Sequence, residues 1–230
     1  MQRQLLITKD GSHTVSVPEM NVTYHSIHGA IQESMHVFIE AGLHAPALQM
    51  RTGTLRILEM GFGTGLNALL TLIDAEKTGK LIHYDTLELH PLSTEDIRSL
   101  NYCEQLNRPD LQQLFEQLHS CEWEKEISVT NNFSLLKRNL DLSGSQPLEL
   151  LEPLKPFELV FYDAFAPTAQ PELWTKEVFE KLFRVMRPGG ILVTYCSKGE
   201  VRRAMQQAGF NVEKLKGPPG KREMIRAGRK

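Results

Sequence analysis

An apolar run that breaks into alternating glycines and resumes as a helix-forming stretch constrains this chain more than any other feature. Residues 56–70 read RILEMGFGTGLNALL, a strand, a tight turn and a helix. Glycines at 61, 63 and 65 leave the turn without Cβ atoms at alternate positions, so a ligand can approach the backbone and the positive end of the following helix. A dinucleotide-binding turn wants G-x-G-x-x-G. Here the position three after Gly63 is Leu66, and the third glycine comes one residue early at Gly65. The turn therefore points to a phosphate or nucleoside ligand on another pattern, with an acid, Glu59, just ahead of the first glycine.

A chain of 230 residues fits one α/β domain with an appendage better than two domains, so one site is expected. Cys103, Cys121 and Cys196 are scattered and odd in number, with no C-x-x-C pair, which suits a reducing compartment and gives no metal site. Charge interrupts the first residues, and the longest uncharged run, 60–73, is too short to span a bilayer; a soluble cytoplasmic protein with no membrane partner is expected. The net charge of -2 hides an asymmetry. Residues 198–230 hold ten Lys and Arg against three Glu, so the C-terminal end is the basic face, suited to a nucleic-acid partner.

Residues 3–22 alternate apolar and polar around Lys9-Asp10-Gly11, predicting a β-hairpin. A polar cluster, Tyr24-His25-Ser26-Ile27-His28-Gly29, precedes a helical stripe over 30–41. It reads as a loop capping a core helix or as a lid over the glycine turn, with Tyr24 and Gln32 or Glu33 pointing inward. After the helix at 66–75, the strand at 82–89 carries Glu88, 23 residues beyond Gly65. An acid there can accept from both hydroxyls of a ribose. Residues 92–118 read as two helices interrupted at Pro109, and 124–140 as two strands joined at Asn131-Asn132. Beyond them either Asn139 or Asp141 could bind an adenine amino group. Residues 142–156 read as a surface connection.

The stretch 157–162 lacks alternation, the mark of a buried parallel strand, and ends in Asp163-Ala164-Phe165-Ala166-Pro167. Ligands of open α/β sheets bind at the carboxyl edge, so Asp163 should face the same crevice as Glu59 and Glu88. A helix is predicted from Pro171 to a stop at Pro188-Gly189-Gly190, then a strand at 191–195, a helix at 200–208, and strands at 210–215 and 224–227. Between the last two lies Gly217-Pro218-Pro219-Gly220-Lys221-Arg222, a stiff turn followed by two cations.

Glu59-x-Gly61-x-Gly63-x-Gly65 resembles the first motif of Rossmann-like methyltransferases that use S-adenosylmethionine. Five stretches together resemble one family within that class: residues 24–26 with Gly29 and 32–34, 61–67, 163–167 with 170–174, 195–199, and 217–224. That family is the methyltransferase half of the bifunctional tRNA 5-methylaminomethyl-2-thiouridine biosynthesis protein, which also occurs as a stand-alone enzyme. The resemblance implies a class I α/β fold: a mostly parallel seven-stranded sheet with helices on both faces and an N-terminal hairpin and helix extension. Residues 1–50, the hairpin and lid helix, would belong to the same domain as 51–230.

The same resemblance implies S-adenosylmethionine as cofactor, held by Glu59, Gly61, Phe62, Gly63, Thr64, Gly65, Asn67 and Glu88, with Asn139 or Asp141 at the adenine. It implies methyl transfer to the aminomethyl group of a wobble uridine in the anticodon loop of tRNA. Substrate contacts would fall to Tyr24, His25, Glu33, Phe165, Pro167, Lys221 and Arg222, with Phe165 and Tyr24 stacking on the base and the two cations meeting phosphates. Because the chain stops at Lys230, methyl transfer without an FAD oxidase domain is expected, leaving room for a separate FAD-dependent oxidase upstream. Asp163 would be the catalytic side chain, orienting the amine or taking its proton. Other readings are a small-molecule amine methyltransferase, an aminopropyltransferase, and a non-enzymatic tRNA-binding protein on the same fold.

Overall fold

The computed structural model describes residues 2–49, 51–144 and 156–230. Most of the expected connection over 142–156 lies outside the described residues. Strands β1 (Gln4–Ile7), β2 (His13–Val17) and β3 (Val22–Thr23) form a small antiparallel sheet. It is tied down by the side chain of Asn101, whose Oδ1 accepts from His13 N at 2.8 Å and whose Nδ2 donates to Gly11 O at 3.0 Å.

The main sheet uses β4 (Leu55–Met60), β5 (Ile82–Leu87), β6 (Ile127–Thr130), β7 (Phe133–Arg138), β8 (Phe157–Tyr162), β9 (Met186–Thr194), β10 (Asn211–Lys216) and β11 (Glu223–Gly228). Their order is β10-β11-β9-β8-β4-β5-β7-β6. The five strands β9-β8-β4-β5-β7 are mutually parallel, and β6, β11 and β10 pair antiparallel at the flanks. The sheet thus has eight strands where seven were expected. The Asn131-Asn132 turn folds β6 back onto β7 and extends the edge by one strand.

β4, β5 and β8 are buried on both faces; the near-continuous apolar run of β8 follows from that, while β5 buries His83 and Asp85 as well. One face packs on α1 (Ala30–Ser34), its continuation Met35–Leu43 and α3 (Leu66–Thr78), with Ile57, Phe161 and Val193 meeting Phe38, Leu66 and Leu69. The other packs Leu58, Val160 and Leu192 against Phe179 and Leu182 of one late helix and Val201 and Met205 of the next. The order in which strands are added to the sheet reverses between β4 and its parallel neighbour β8, so the crevice at their carboxyl ends is the place such a fold offers a ligand.

Four expectations of local structure change. The helix over 30–41 becomes α-helical only to Ser34 and π-helical over Met35–Leu43, where His44 N reaches back five residues to Ile39 O at 2.8 Å. Residues 92–118 hold, after α2 (Pro46–Gln49), the short α4 (Thr94–Arg98), α5 (Tyr102–Gln105) and α6 (Gln112–Ser120), because a Ser93–Asp96 capping box starts one piece and left-handed Asn107 ends another. The helix expected from Pro171 splits at Thr175, whose extended backbone and hydroxyl cap α7 (Lys176–Val185). Pro188-Gly189-Gly190 does not stop an element but forms a bulge inside β9: Gly189 has φ +74°, and the register against β8 jumps there. Then α8 (Gly199–Gln207) leads to β10 and β11.

Candidate active site

The glycines after β4 are fixed by what a side chain would strike. All three have positive φ (+89°, +50° and +71°). A Cβ on Gly61 would lie 2.9 Å from Asp163 O, one on Gly63 2.9 Å from Tyr24 Cδ1, and one on Gly65 2.7 Å from His119 Nε2. The turn is therefore clamped between the loop after β8, the segment before α1 and α6. Glu88, at the tip of β5, spans it: Oε2 accepts from Gly63 N at 2.9 Å and Oε1 from His90 N at 2.7 Å.

A cavity of about 310 Å³ opens at these strand tips. Of the residues singled out in the sequence, Tyr24, His25, Gly61, Phe62, Gly63, Thr64, Asn67, Glu88, Asp141, Asp163 and Phe165 line it. Asn139 does not line it: the residue is exposed and its N–H donates to Glu124 Oε1 at 2.7 Å, so of the two adenine candidates it is Asp141 that faces the cavity. Gly65 and Pro167 lie off the cavity, Pro167 being buried within its loop.

Glu59 is fully buried beneath the floor and does not reach the cavity. Its Oε2 accepts from Thr86 Oγ1 at 2.8 Å, and its Oε1 from Asn67 Nδ2 at 3.1 Å. The same Nδ2 donates to Asp163 Oδ2 at 2.9 Å, so one amide orients two carboxyl groups. Burial pushes Glu59 up to about 8, with the two hydrogen bonds opposing and Asp163 adding to the rise. Burial, and then Glu33, push Asp163 up to about 7, against the Asn67 hydrogen bond and Lys221. A carboxyl poised there can accept a hydrogen bond or a proton near neutrality. Asn67 Oδ1 is buried with no hydrogen-bond partner among the described residues, an acceptor on the cavity wall that a ligand could use.

Tyr24 meets Phe165 edge to face, with ring centroids 5.0 Å apart. The loop that carries Asp163 and Phe165 is pinned by side chains to which sequence reasoning gave no role: Gln170 Oε1 accepts from Phe165 N at 3.2 Å, Trp174 Nε1 donates to Phe165 O at 2.7 Å, and Tyr195 Oη donates to Ala164 O at 2.8 Å. His25 Nε2 lies 2.6 Å from Thr64 Oγ1, and burial pushes that imidazole down to about 4, so it is neutral. Two further residues were missed. His119 packs on Phe62, and the fully buried Lys137 donates to His119 O and lies over the Trp123 ring at 4.9 Å, backing the glycine turn.

Glu33 and Lys221 do not point as expected. Buried Glu33 accepts from Ser26 N at 2.8 Å and pairs with Lys221 Nζ at 2.6 Å, so neither is a cavity wall and Lys221 is turned inward rather than toward outside phosphates. Arg222 is exposed.

A mostly parallel sheet with a glycine cradle after one strand, an acid at the next strand tip and a second acid facing both is the layout of an open α/β fold that takes a nucleoside or nucleotide at its carboxyl edge. A family model described as S-adenosyl-L-methionine-dependent methyltransferase matches residues 109–230, more than half of the chain, and the chain belongs to that family. The match takes in Asp163 and the 217–224 loop and begins beyond the glycine turn. Among similar proteins, the tRNA 5-methylaminomethyl-2-thiouridine biosynthesis bifunctional protein MnmC of Aromatoleum aromaticum is 34% identical over 230 residues, 97% of this chain and 35% of that protein. Its namesake in Burkholderia multivorans is 33% identical over 226 residues, 92% of this chain and 33% of that one. The chain thus spans about a third of the length of these curated relatives. The crystal structure of MNMC2 from Aquifex aeolicus superposes with a TM-score of 0.79 at 26% identity, over 100% of this chain and 70% of that one.

The residues present fit the cofactor. Gly61 and Gly63 present bare backbone to the cavity, Glu88 stands at the second strand tip, and the cavity-lining Asn67 carries a buried acceptor with no partner among the described residues.

Proposed function

We propose that the chain methylates the primary amine of 5-aminomethyl-(2-thio)uridine at the tRNA wobble position, giving 5-methylaminomethyl-(2-thio)uridine. The observation that carries this is Asp163, oriented by Asn67 opposite the glycine cradle and flanked by the Tyr24–Phe165 pair. The MnmC and MNMC2 likenesses support the choice of tRNA. When bound, S-adenosylmethionine supplies a sulfonium methyl: the amine lone pair forms the N–C bond while the C–S bond breaks and leaves its electron pair on sulfur. Asp163 accepts an N–H from the amine, aims the lone pair, and takes the proton the product ammonium releases, directly or through water. Glu88 would hold the cofactor's ribose and Asp141 its adenine, with Gly61, Phe62, Gly63 and Thr64 as the cradle. Tyr24 and Phe165 receive the base.

Residues 1–50 are read as part of the same domain as 51–230, because Val15, Ala30 and Phe38 share a core with Ile57 and Leu69. Among the described residues no helix is long and apolar enough to cross a membrane; a cytoplasmic enzyme is proposed, and a separate FAD-dependent oxidase could supply its substrate.

A specific observation favours a small free amine as the competing acceptor. Much of the basic C-terminal charge is already paired: Lys214 with Glu223 at 2.8 Å, Arg226 with Glu213 at 2.9 Å and Lys221 with Glu33 at 2.6 Å. Salt separates the readings, since an enzyme gripping phosphates loses affinity steeply as salt rises and a small-amine enzyme does not. The proposal itself is tested by mass spectrometry of tRNA nucleosides from a strain lacking the gene: aminomethyl uridine should accumulate in place of its methylated form. Unchanged methylaminomethyl uridine, with no second enzyme to make it, would sink the reading.

A further inference from the structure

The loop between β10 and β11 is built at some expense to deliver one cation. Lys221 N donates to Pro218 O at 2.9 Å, closing a turn with Pro219 and Gly220 at its centre, and Gly220 has φ +84°. That is the geometry of a type II turn, in which proline presets the first central residue and only glycine suits the second. A Cβ on Gly220 would collide with the His28 ring at 2.2 Å, so the turn is packed tightly on the segment before α1. It aims Lys221 Nζ at Glu33 Oε1, 2.6 Å away, and over the face of Tyr195, 3.8 Å from the centroid. Glu33 is itself buried and held by Ser26 N, and Tyr195 holds the loop of Asp163 through Ala164 O. Three distant segments thus converge on one ion pair, which Tyr195 links to the loop of the candidate catalytic carboxyl.

We propose that Glu33 and Lys221 are positioning residues: joined through Tyr195 to the loop that carries Asp163, their opposed charges bias its ionisation. This rests on the reading of Asp163 given above. Both charges are felt at Asp163, Glu33 favouring the protonated form more strongly than Lys221 opposes it. The other groups around Lys221 are His25, neutral through burial, and Cys196 and Tyr195, both pushed up by burial, with His28 on the turn. His25, Cys196 and Tyr195 supply no formal charge near neutrality that could replace either partner, and Glu59, which faces Asp163 across Asn67, is unchanged in every variant below. The same two charges act on an incoming alkyl amine with the same sign: Lys221 favours the neutral nucleophile and Glu33 the ammonium.

The test is a set of three variants, Lys221→Met, Glu33→Gln and the double change, read in two ways. Carbon NMR of the Asp163 carboxyl, assigned with Asp163→Asn, follows its titration without any acceptor. The pH profile of kcat/KM follows it in turnover. Lys221→Met should raise the midpoint and Glu33→Gln lower it, each by about one unit. The double variant should fall between the two single variants, and Lys221→Arg should restore the wild-type profile. Midpoints that do not move, or that move the same way in both single variants, overturn the proposal. If Lys221→Met does not fold with Glu33 left unpaired, Glu33→Gln and the double variant still decide it by the sign of their shifts. Because the NMR arm needs no tRNA, a failure of the wobble-uridine reading shows up separately, as absent turnover in the wild type.

Discussion

Replacing Asn67 with alanine removes an amide that touches both carboxyls. Its Nδ2 lies 2.9 Å from Asp163 Oδ2 and 3.1 Å from Glu59 Oε1, and both bonds favour the ionised form of their acceptor. A hydrogen bond to a charged group is worth about 1.5–3 kcal/mol, and one pKa unit corresponds to about 1.4 kcal/mol. Asp163 opens onto the cavity, where water replaces part of the lost bond, so the lower end applies and its titration should rise by about one unit. From a starting point of about 7, that leaves roughly one Asp163 in ten ionised at neutral pH, where about half was ionised before. The acidic limb of kcat/KM for labelled methyl transfer, measured at saturating S-adenosylmethionine, should therefore move up by about one pH unit. A loss of equal size at every pH, with the limb unmoved, would refute the reasoning, because it would mean Asn67 does not tune Asp163.

Asp163→Ala should keep S-adenosylmethionine binding by calorimetry and lower turnover by about a hundredfold or more; lost cofactor binding would make its assigned role wrong. Glu88→Ala removes the acceptor of Gly63 and His90 N–H as well as the candidate ribose contact, and should weaken cofactor binding by about 1.5–3 kcal/mol in the same assay. Glu59 titrates at about 8 in the fold against an ordinary 4.5, so the stability its neutral form contributes is full below the ordinary value and is lost as pH rises through about 8. Glu59→Gln should flatten the fall in melting temperature between about pH 5 and pH 9, and an unchanged slope would contradict the shift.

What was legible in the sequence was short-range. The strand, glycine turn and helix over 56–70 declare themselves because their pattern and their positive-φ glycines are local, Asp163 follows from its place at the end of an unalternating strand, and Glu88 from its place at the tip of the second strand. The rest depends on contacts between segments far apart. Nothing local in Glu33 or Lys221 tells that 188 positions of chain close up to pair them. Lys137 alternates in register with buried Phe133 and Leu135, so its position predicts burial, but its residue type argues against it and only the His119 carbonyl and the Trp123 ring explain it. Asn139 and Asp141 could not be told apart because their difference lies in how the chain turns after β7. Pro188-Gly189-Gly190 carries the composition of a stop, but pairing with β8 and β11 continues the strand through it.

The central claim is tested most directly by incubating the purified chain with labelled S-adenosylmethionine and an anticodon stem-loop whose wobble base is 5-aminomethyl-2-thiouridine. Nucleoside mass spectrometry should then show one methyl group gained on the side-chain nitrogen and none in a stem-loop carrying unmodified uridine. Label that goes instead to a free small amine, with the stem-loop untouched, would contradict it.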